Sequence, residues 1–520
     1  MDANYQENGR HILKTGENTL CQAVRGPLMS NKKIAVEIQN EGMRLVYDDL
    51  REWLAEADLF NEVKIVRGAS WQEEIGLATE LVSHSDTAPA VLFEDIPGIQ
   101  KGFRVLANIF GGKRKNMTLG FRSDLDKVQL SDAFAKAWDT DRIVPPVYVE
   151  SGPIFDNVLT GADVDLDIFP TPIWHSGDGG RYIGTGSYNV TQDPDTGEFN
   201  LGTYRIMLHD AKHVTYNAAP GKHGRLHHDK YVERGEKMPV VLVLGGDPLT
   251  FLLGGTEVPD GVSEFDVAGG MRGKPLELVR GRTTGLPFPA NAEIVLEGFV
   301  YPDTLVPEGP FGDWTGTYTE KGRKRPLCEI SAIYYRNDPI LLGFVPQSLP
   351  DEYSRYRAIT RSALLKQNMT AAGVPDVKAV WAHECGGSRL LYGVSIKQRF
   401  DGHAVQAGHI ASQCYVGAYG GRWVIVVDDD IDVTDLHELI WAALTRADPV
   451  QDIDFIRGAW NSPADPRVDP ADRARGKVTS SRMIINACRP YSWRHDFPAP
   501  VKASAEAAQM ARQKFGWLLE

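Results

Sequence analysis

The sequence predicts a chain of mixed class, α/β at both ends and β-rich between them. Three observations carry this. The first region alternates helix-like and strand-like hydrophobic patterns, the chain becomes richer in Gly, Pro and β-formers from about Pro145, and α/β character returns past about Tyr335. With 520 residues, 42% hydrophobic and 24% charged, the chain is long enough to bury more than one core, and two or three domains are expected.

In chain order, Tyr47 to Ala57 puts Leu50, Trp53 and Leu54 on one helical face, and Glu62 to Val66 alternates as a strand. Trp71 to Val82 is again amphipathic, and Ala88 to Phe93 is a short apolar strand. In the centre, Ile183 to Gln192 and Phe199 to Leu208 form a hairpin across the turn Asp193-Pro194-Asp195-Thr196-Gly197. Asn200 and Arg205 then fall on opposite faces of one strand, because their spacing is odd and side chains alternate. Later, Arg361 to Ala372 reads as a helix, Trp423 to Val427 as a buried strand ending in acids, and Leu436 to Thr445 as a helix. In the tail from Ala503 to Trp517, Ala508, Ala511 and Phe515 lie near helical spacing, which suits packing on a neighbouring surface or subunit.

Composition excludes several classes. The net charge of -13 argues against a nucleic-acid surface, which needs clustered Lys and Arg; the densest basic run, Lys321 to Arg325, reads as a solvated turn. Cys21, Cys328, Cys385, Cys414 and Cys488 are widely spaced with no CxxC pair, which disfavours a zinc site and a disulfide framework and fits a reducing cytoplasm. Met1 to Leu28 lacks the apolar core of a signal peptide, and no run is long enough to span a bilayer.

Two groups of residues carry chemistry. Pro307-Glu308-Gly309-Pro310-Phe311-Gly312-Asp313 places two carboxylates on a Gly/Pro loop, where they are either solvated acids of a surface turn or groups aimed at one cavity with Phe311 as an apolar wall. Upstream, Asn200, His223 and Glu264 offer an amide oxygen, an imidazole and a carboxylate, a donor set suited to Mn2+ or Mg2+; the alternative for His223 is a solvated surface histidine.

Read in order, these segments resemble the UbiD family of decarboxylases, which use prenylated FMN with a divalent metal and a potassium ion. The likeness covers most of the chain. It runs through Pro89 to Asp95, Ala107 to Gly111, Asn200 to Arg205, Gly245 to Pro248, Ala292 to Gly298, Glu308 to Gly316 and Val426 to Asp432. The resemblance implies an N-terminal α/β domain over 30–140, a central split β-barrel of the flavin-reductase type over 141–335, a C-terminal α/β domain over 336–500 and a terminal helix over 501–520. A homodimer or larger homo-oligomer is implied, with a flavin prenyltransferase as cofactor supplier and no membrane or nucleic acid as partner.

Carried over by resemblance, Arg205 holds the substrate carboxylate, Glu308 orients Arg205, and Asp313, where the family often has Glu, returns a proton to carbon. Asn200, His223 and Glu264 hold the divalent ion, which neutralises the flavin phosphate. Thr185 and Lys222 are further cofactor contacts, and Arg422 stands in for a phosphate-binding lysine that has no clear match. The segment Gln347 to Arg357 is either the start of a solvated helix or a pocket wall of aromatic rings and cations, which would favour a flat aromatic or heteroaromatic acid such as a phenazine, naphthoic, indole or pyrrole carboxylate. The alternative substrate is a 4-hydroxy-3-polyprenylbenzoate of ubiquinone synthesis, and the alternative class is a flavin-dependent oxidoreductase.

Overall fold

Burial of apolar strands against amphipathic helices organises three regions in the computed structural model, which describes residues 43–519 apart from 139–141, 257 and 259–260. The expectation for Met1 to Leu28, the start of the 30–140 span and Cys21 lie outside the described residues.

The first helix, Leu50–Leu59, begins where Asp49 caps the backbone N–H groups of Arg51 and Glu52, and it buries Leu50, Trp53 and Ala57. A four-stranded sheet follows, in the order Val63–Arg67, Ala90–Glu94, Arg104–Ala107 and Ile340–Leu342. Its last strand comes from far down the chain and lies parallel to Arg104–Ala107. The helix predicted from Trp71 starts at Glu74 and ends at Ser83.

The central region is a seven-stranded antiparallel sheet. It is dominated by two long strands, Ile294–Glu308 and Arg323–Tyr335, whose ends bring Glu308 opposite Arg323. Among the described residues the strands follow an open path with no closing pair, and two small sheets flank them.

The predicted hairpin forms, but it is broken. Ser187–Gln192 pairs with Phe199–Gly202, and Tyr182–Gly184 pairs with Ile206–Met207 in a separate sheet. Residues 203–205 leave the ladder, so Asn200 and Arg205 do not share a strand, contrary to the sequence expectation. The cause is local. Tyr204 folds back over Gly202, where a Cβ would lie 2.2 Å from its ring, and its carbonyl accepts from Asn189 Nδ2 at 3.1 Å.

The C-terminal sheet has five strands in the order Val377–Ala382, Leu391–Ile396, Trp423–Asp428, Thr479–Ala487 and Ile453–Trp460. Trp423–Asp428 lies parallel to both neighbours, which explains its continuous apolar run. Helix Glu352–Ala371 starts nine residues before the predicted Arg361 and is largely buried rather than solvated; Asp351 caps it through Ser354. Its Ile359 carbonyl accepts from Ser131 and Lys366 pairs with Asp132, tying the C-terminal region to helix Lys127–Ala137. The tail is helical over Ala505–Phe515 and leaves Met510, Phe515 and Trp517 exposed.

Candidate active site

The long strand Ile294–Glu308 delivers Glu308 as its last residue, 2% exposed, so this carboxylate is not on the loop as expected from its Gly/Pro neighbours. Strand pairing hides it. Arg205, from the break in the hairpin, donates from Nε to Glu308 Oε1 at 2.8 Å and from Nη2 to Oε2 at 3.0 Å. This bidentate geometry fixes the guanidinium in a plane. Tyr182 donates its hydroxyl to Glu308 Oε1 at 3.0 Å, and Asn217 Nδ2 lies 3.5 Å from Oε2. Behind them Arg325 Nε donates to Asn217 Oδ1 at 2.6 Å. The basic run from Lys321 is therefore not merely a solvated turn: it enters a strand at Arg323, and its last member supports the Glu308 network.

Burial works against the charge of Arg205, but its hydrogen bonds to Glu308 and that carboxylate's charge more than compensate and hold it protonated. Phe311 is buried, stacks on Tyr182 with ring centres 4.0 Å apart, and lies 5.4 Å beneath the Arg205 guanidinium.

Asp313 does sit on the loop beyond Gly309, half-buried. Its Oδ1 accepts from Trp314 N at 2.7 Å, and Thr319 Oγ1 lies 3.5 Å from Oδ2. Burial pushes its pKa above the usual carboxylate range, outweighing the Trp314 N–H and the charges of Arg205 and Arg389. An acid near a fixed guanidinium whose surroundings favour its protonated form more than water does can deliver a proton.

The second cluster also converges. Asn200 is in strand Phe199–Gly202, while His223 and Glu264 each open a helix, His223–Arg234 and Glu264–Arg272. Asn200 Oδ1 and His223 Nδ1 are 3.2 Å apart, near the about 3 Å that separates neighbouring ligands of an octahedral ion bound at about 2.1 Å. Glu264 is buried, and desolvation pushes its pKa up to about 7 although Leu201 N donates to it at 3.0 Å. Among the described residues Asn200 Nδ2 is buried without a hydrogen-bond partner. A buried carboxylate that accepts from the residue after Asn200, together with that amide and an imidazole, offers a donor set that fits a hard divalent cation. Among the described residues no cluster of three His, Cys, Asp or Glu side chains is available to hold one instead.

The remaining expected contacts are more scattered. Thr185 lies between the two halves of the broken hairpin and its Oγ1 accepts from Phe344 N at 3.3 Å. Lys222 is exposed at the N-cap position before His223. Arg422 is paired with Asp465 in the C-terminal region, in a cleft of about 490 Å³ shared with Trp423, Phe455 and Arg482. From the segment Gln347 to Arg357, Gln347 Oε1 meets His175 Nε2 at 2.5 Å, and Arg357 lies 5.4 Å from the rings of Tyr353 and Tyr356. Tyr182 and Asn217 carry no mark in the sequence, and Tyr204 and Arg325, though inside segments noted there, have no role that spacing reveals; only the folded partner does.

Comparison with known proteins defines the class as a carboxy-lyase. Residues 52–135, 147–349 and 356–487 match the N-terminal, Rift-related and C-terminal domains of 3-octaprenyl-4-hydroxybenzoate carboxy-lyase. The chain is 32% identical over 462 residues to pyrrole-2-carboxylic acid decarboxylase of Pseudomonas aeruginosa, covering 83% of this chain and 91% of that protein. It is 30% identical over 453 residues to a phenolic acid decarboxylase of Bacillus subtilis, covering 86% and 93%. Among solved structures, the UbiD-class enzyme HmfF of Pelotomaculum thermopropionicum in complex with FMN superposes with a TM-score of 0.78 at 26% identity, over 88% of this chain and 97% of that one. An evolved dimeric form of the same enzyme, in complex with prFMN, gives 0.75 at 25% over 88% and 98%. The chain belongs to the UbiD family.

Proposed function

We propose that this carboxy-lyase is a prenylated-FMN-dependent, reversible, non-oxidative decarboxylase of an aromatic or heteroaromatic acid. The observation that carries the reading is the bidentate Arg205–Glu308 pair in the field of Asp313, whose pKa is raised by desolvation. The pyrrole and phenolic acids named for two relatives support a flat aromatic substrate, as do the rings of Tyr353 and Trp314 around Arg357 and Arg389.

Losing CO2 from an sp2 carbon leaves an electron pair orthogonal to the ring π system, and the prenylated flavin, when bound, supplies the electrophile that accepts it. Arg205 holds the substrate carboxylate. Glu308 keeps the guanidinium aimed, with Tyr182 and Asn217 fixing Glu308 in turn. Asp313 gives its proton to the carbon that has lost CO2 and is reprotonated from solvent; in the carboxylation direction its carboxylate takes the proton from that carbon and releases it to solvent. Asn200, His223 and Glu264 would hold Mn2+ or Mg2+, with K+ nearby, to offset the flavin phosphate. Thr185, Lys222 and Arg422 are further contacts for the cofactor. We read the central sheet as the family's split barrel within 141–335, flanked by domains at 30–140 and 336–500 and a terminal helix at 501–520, in a cytoplasmic homodimer or larger assembly supplied by a flavin prenyltransferase.

The test is co-expression with a flavin prenyltransferase, followed by a visible spectrum and a panel of aromatic acids scored for CO2 release and for deuterium uptake from heavy water. Flavin absorbance beyond that of FMN, with release from a pyrrole, indole, naphthoic or phenazine carboxylate, is expected. Equal turnover with FMN alone would overturn the dependence on the prenylated form. Activity confined to polyprenylated benzoates would overturn the substrate class.

A further inference from the structure

Arg389 has no role in the chemistry above, yet it stands close enough to Asp313 to lower that acid's pKa. It leaves the loop between Glu384–Gly386 and strand Leu391–Ile396, and the loop fixes it: Arg389 N donates to Gly386 O at 3.1 Å, and its carbonyl accepts from Gly421 N at 2.6 Å. Its guanidinium packs on two aromatic rings, with Cζ 4.9 Å from the centre of Trp314 and 5.2 Å from that of Tyr419. Trp314 directly follows Asp313, so the cation and the acid are held by neighbouring residues.

A guanidinium carries five N–H donors and cannot shed its charge. Among the described residues the Arg389 side chain meets no acceptor and no carboxylate at ion-pair distance, and its Nε is buried without a partner. Its neighbours add to the positive field. Arg361 spends its Nη2 on the Tyr392 hydroxyl and the carbonyls of Val416 and Tyr419, and Arg357 lies over Tyr353 and Tyr356. Burial and these two like charges disfavour the charge that Arg389 must keep, so the cation stands uncompensated. The contrast with Arg205 is direct. Arg205 has its charge cancelled by Glu308, whereas Arg389 is oriented by ring stacking and left with its hydrogen-bonding edge unused.

We propose that Arg389 receives an oxyanion of a molecule bound beside Asp313, either a second acidic group on the substrate or the phosphate of the flavin. This deepens the functional reading above and rests on it. A ring acid with a second carboxylate would span from Arg205 to Arg389; a phosphate would use the same edge without touching Arg205.

The test compares wild type with Arg389→Met, which keeps the stem that packs on Trp314 and Tyr419, and with Arg389→Lys, which keeps the charge. Fluorescence titration gives affinity for FMN and for riboflavin, which lacks the phosphate; competition binding compares pyrrole-2,5-dicarboxylate with pyrrole-2-carboxylate. Thermal melts confirm folding, and Arg389→Gln replaces the Met variant if that one melts early. If the phosphate is the source, the neutral variant loses roughly 10- to 100-fold in FMN affinity with riboflavin unchanged. If the substrate is the source, the same loss falls on the dicarboxylate alone. In either case Arg389→Lys recovers part of it. Folded variants with all four affinities unchanged would overturn the proposal while leaving the decarboxylase reading intact. A wild-type protein that binds neither flavin nor either acid would overturn both.

Discussion

Replacing Glu308 with Gln should uncouple Arg205 at a cost the structure allows to be worked out. Glu308 Oε1 accepts from Arg205 Nε at 2.8 Å and Tyr182 at 3.0 Å, while Oε2 accepts from Arg205 Nη2 at 3.0 Å with Asn217 at 3.5 Å. A Gln has one acceptor and two donors in the same space. Whichever way its amide turns, an NH2 group faces a guanidinium N–H and another donor. One charge-assisted bond is lost, at about 1.5–3 kcal/mol, and removing one partner of a buried pair costs about 3–5 kcal/mol because the other charge is left behind. The Arg205 side chain retains 22% exposure against 1% for Glu308, so water recovers part of the loss and about 3 kcal/mol is expected.

The assay is a double-mutant cycle with Glu308→Gln and Arg205→Met, read by urea denaturation of the flavin-free protein. Arg205→Met removes the charge that Glu308→Gln would otherwise strand, so the double variant should be less destabilised than the sum of the single ones, with a coupling of at least about 1.5 kcal/mol. Tyr182→Phe, which removes only one donor, should cost about 1 kcal/mol. A coupling below about 0.5 kcal/mol would refute the reasoning, as would wild-type turnover by Glu308→Gln.

Asp313→Asn should keep the shape and bind flavin but lower turnover by about 10²- to 10⁴-fold; wild-type rates would exclude Asp313 as the proton donor. Because burial raises its pKa, the wild-type rate should fall on the alkaline side as Asp313 loses its proton, and a pH profile without that limb would count against the role. His223→Ala and Glu264→Ala should stay folded and lose Mn2+ with much of their flavin affinity, measured by metal content and FMN titration; full occupancy in both sinks the metal assignment. Glu352 is buried, and desolvation raises its pKa from 4.5 to about 7 despite the N–H of Phe110 at 2.7 Å. A carboxylate whose folded value is raised costs stability as pH climbs from its unfolded to its folded value, here about 3 kcal/mol in full above pH 7. Glu352→Gln keeps an acceptor for Phe110, so its stability relative to wild type should improve by about that amount between pH 4.5 and 8; a flat difference would show that Glu352 titrates normally.

Much of the scaffold was legible because apolar periodicity and turn residues are local. The apolar face of Leu50 and Trp53, the apolar run from Trp423 and the turn at Asp193 to Gly197 are all short-range signals. Where a backbone approach decides, the pattern misleads. Helix Glu74–Ser83 leaves Leu77 and Leu81 exposed and buries Gly76, since a Cβ there would lie 2.0 Å from the Trp174 carbonyl oxygen. The candidate site was legible only through family resemblance, not through spacing. Glu308 meets Arg205 across 103 positions and Tyr182 across 126, and Asn217 meets Arg325 across 108. No window of sequence spans such distances.

The broken hairpin explains how one short stretch serves two tasks that an unbroken strand would separate. Its outer half keeps Asn200 in register with Thr191, facing the helices that open with His223 and Glu264. Its inner half pairs Tyr182 with Met207 and turns Tyr182 toward Glu308, the same carboxylate that holds Arg205. Tyr204 joins the halves: it closes over Gly202, and its hydroxyl accepts from Gly224 N at 3.1 Å, at the start of the His223 helix. A continuous strand would keep Arg205 in the ladder, where side chains stand perpendicular to the sheet at fixed intervals. Leaving the ladder for three residues frees Arg205 to meet Glu308 edge-on while Asn200 stays fixed beside His223. The loss of strand hydrogen bonds is offset locally by Thr203 N donating to the Gly254 carbonyl at 3.2 Å and Asn189 donating to the Tyr204 carbonyl. Irregular backbone with its polar groups satisfied in this way is stable enough to position a site and specific enough to define one.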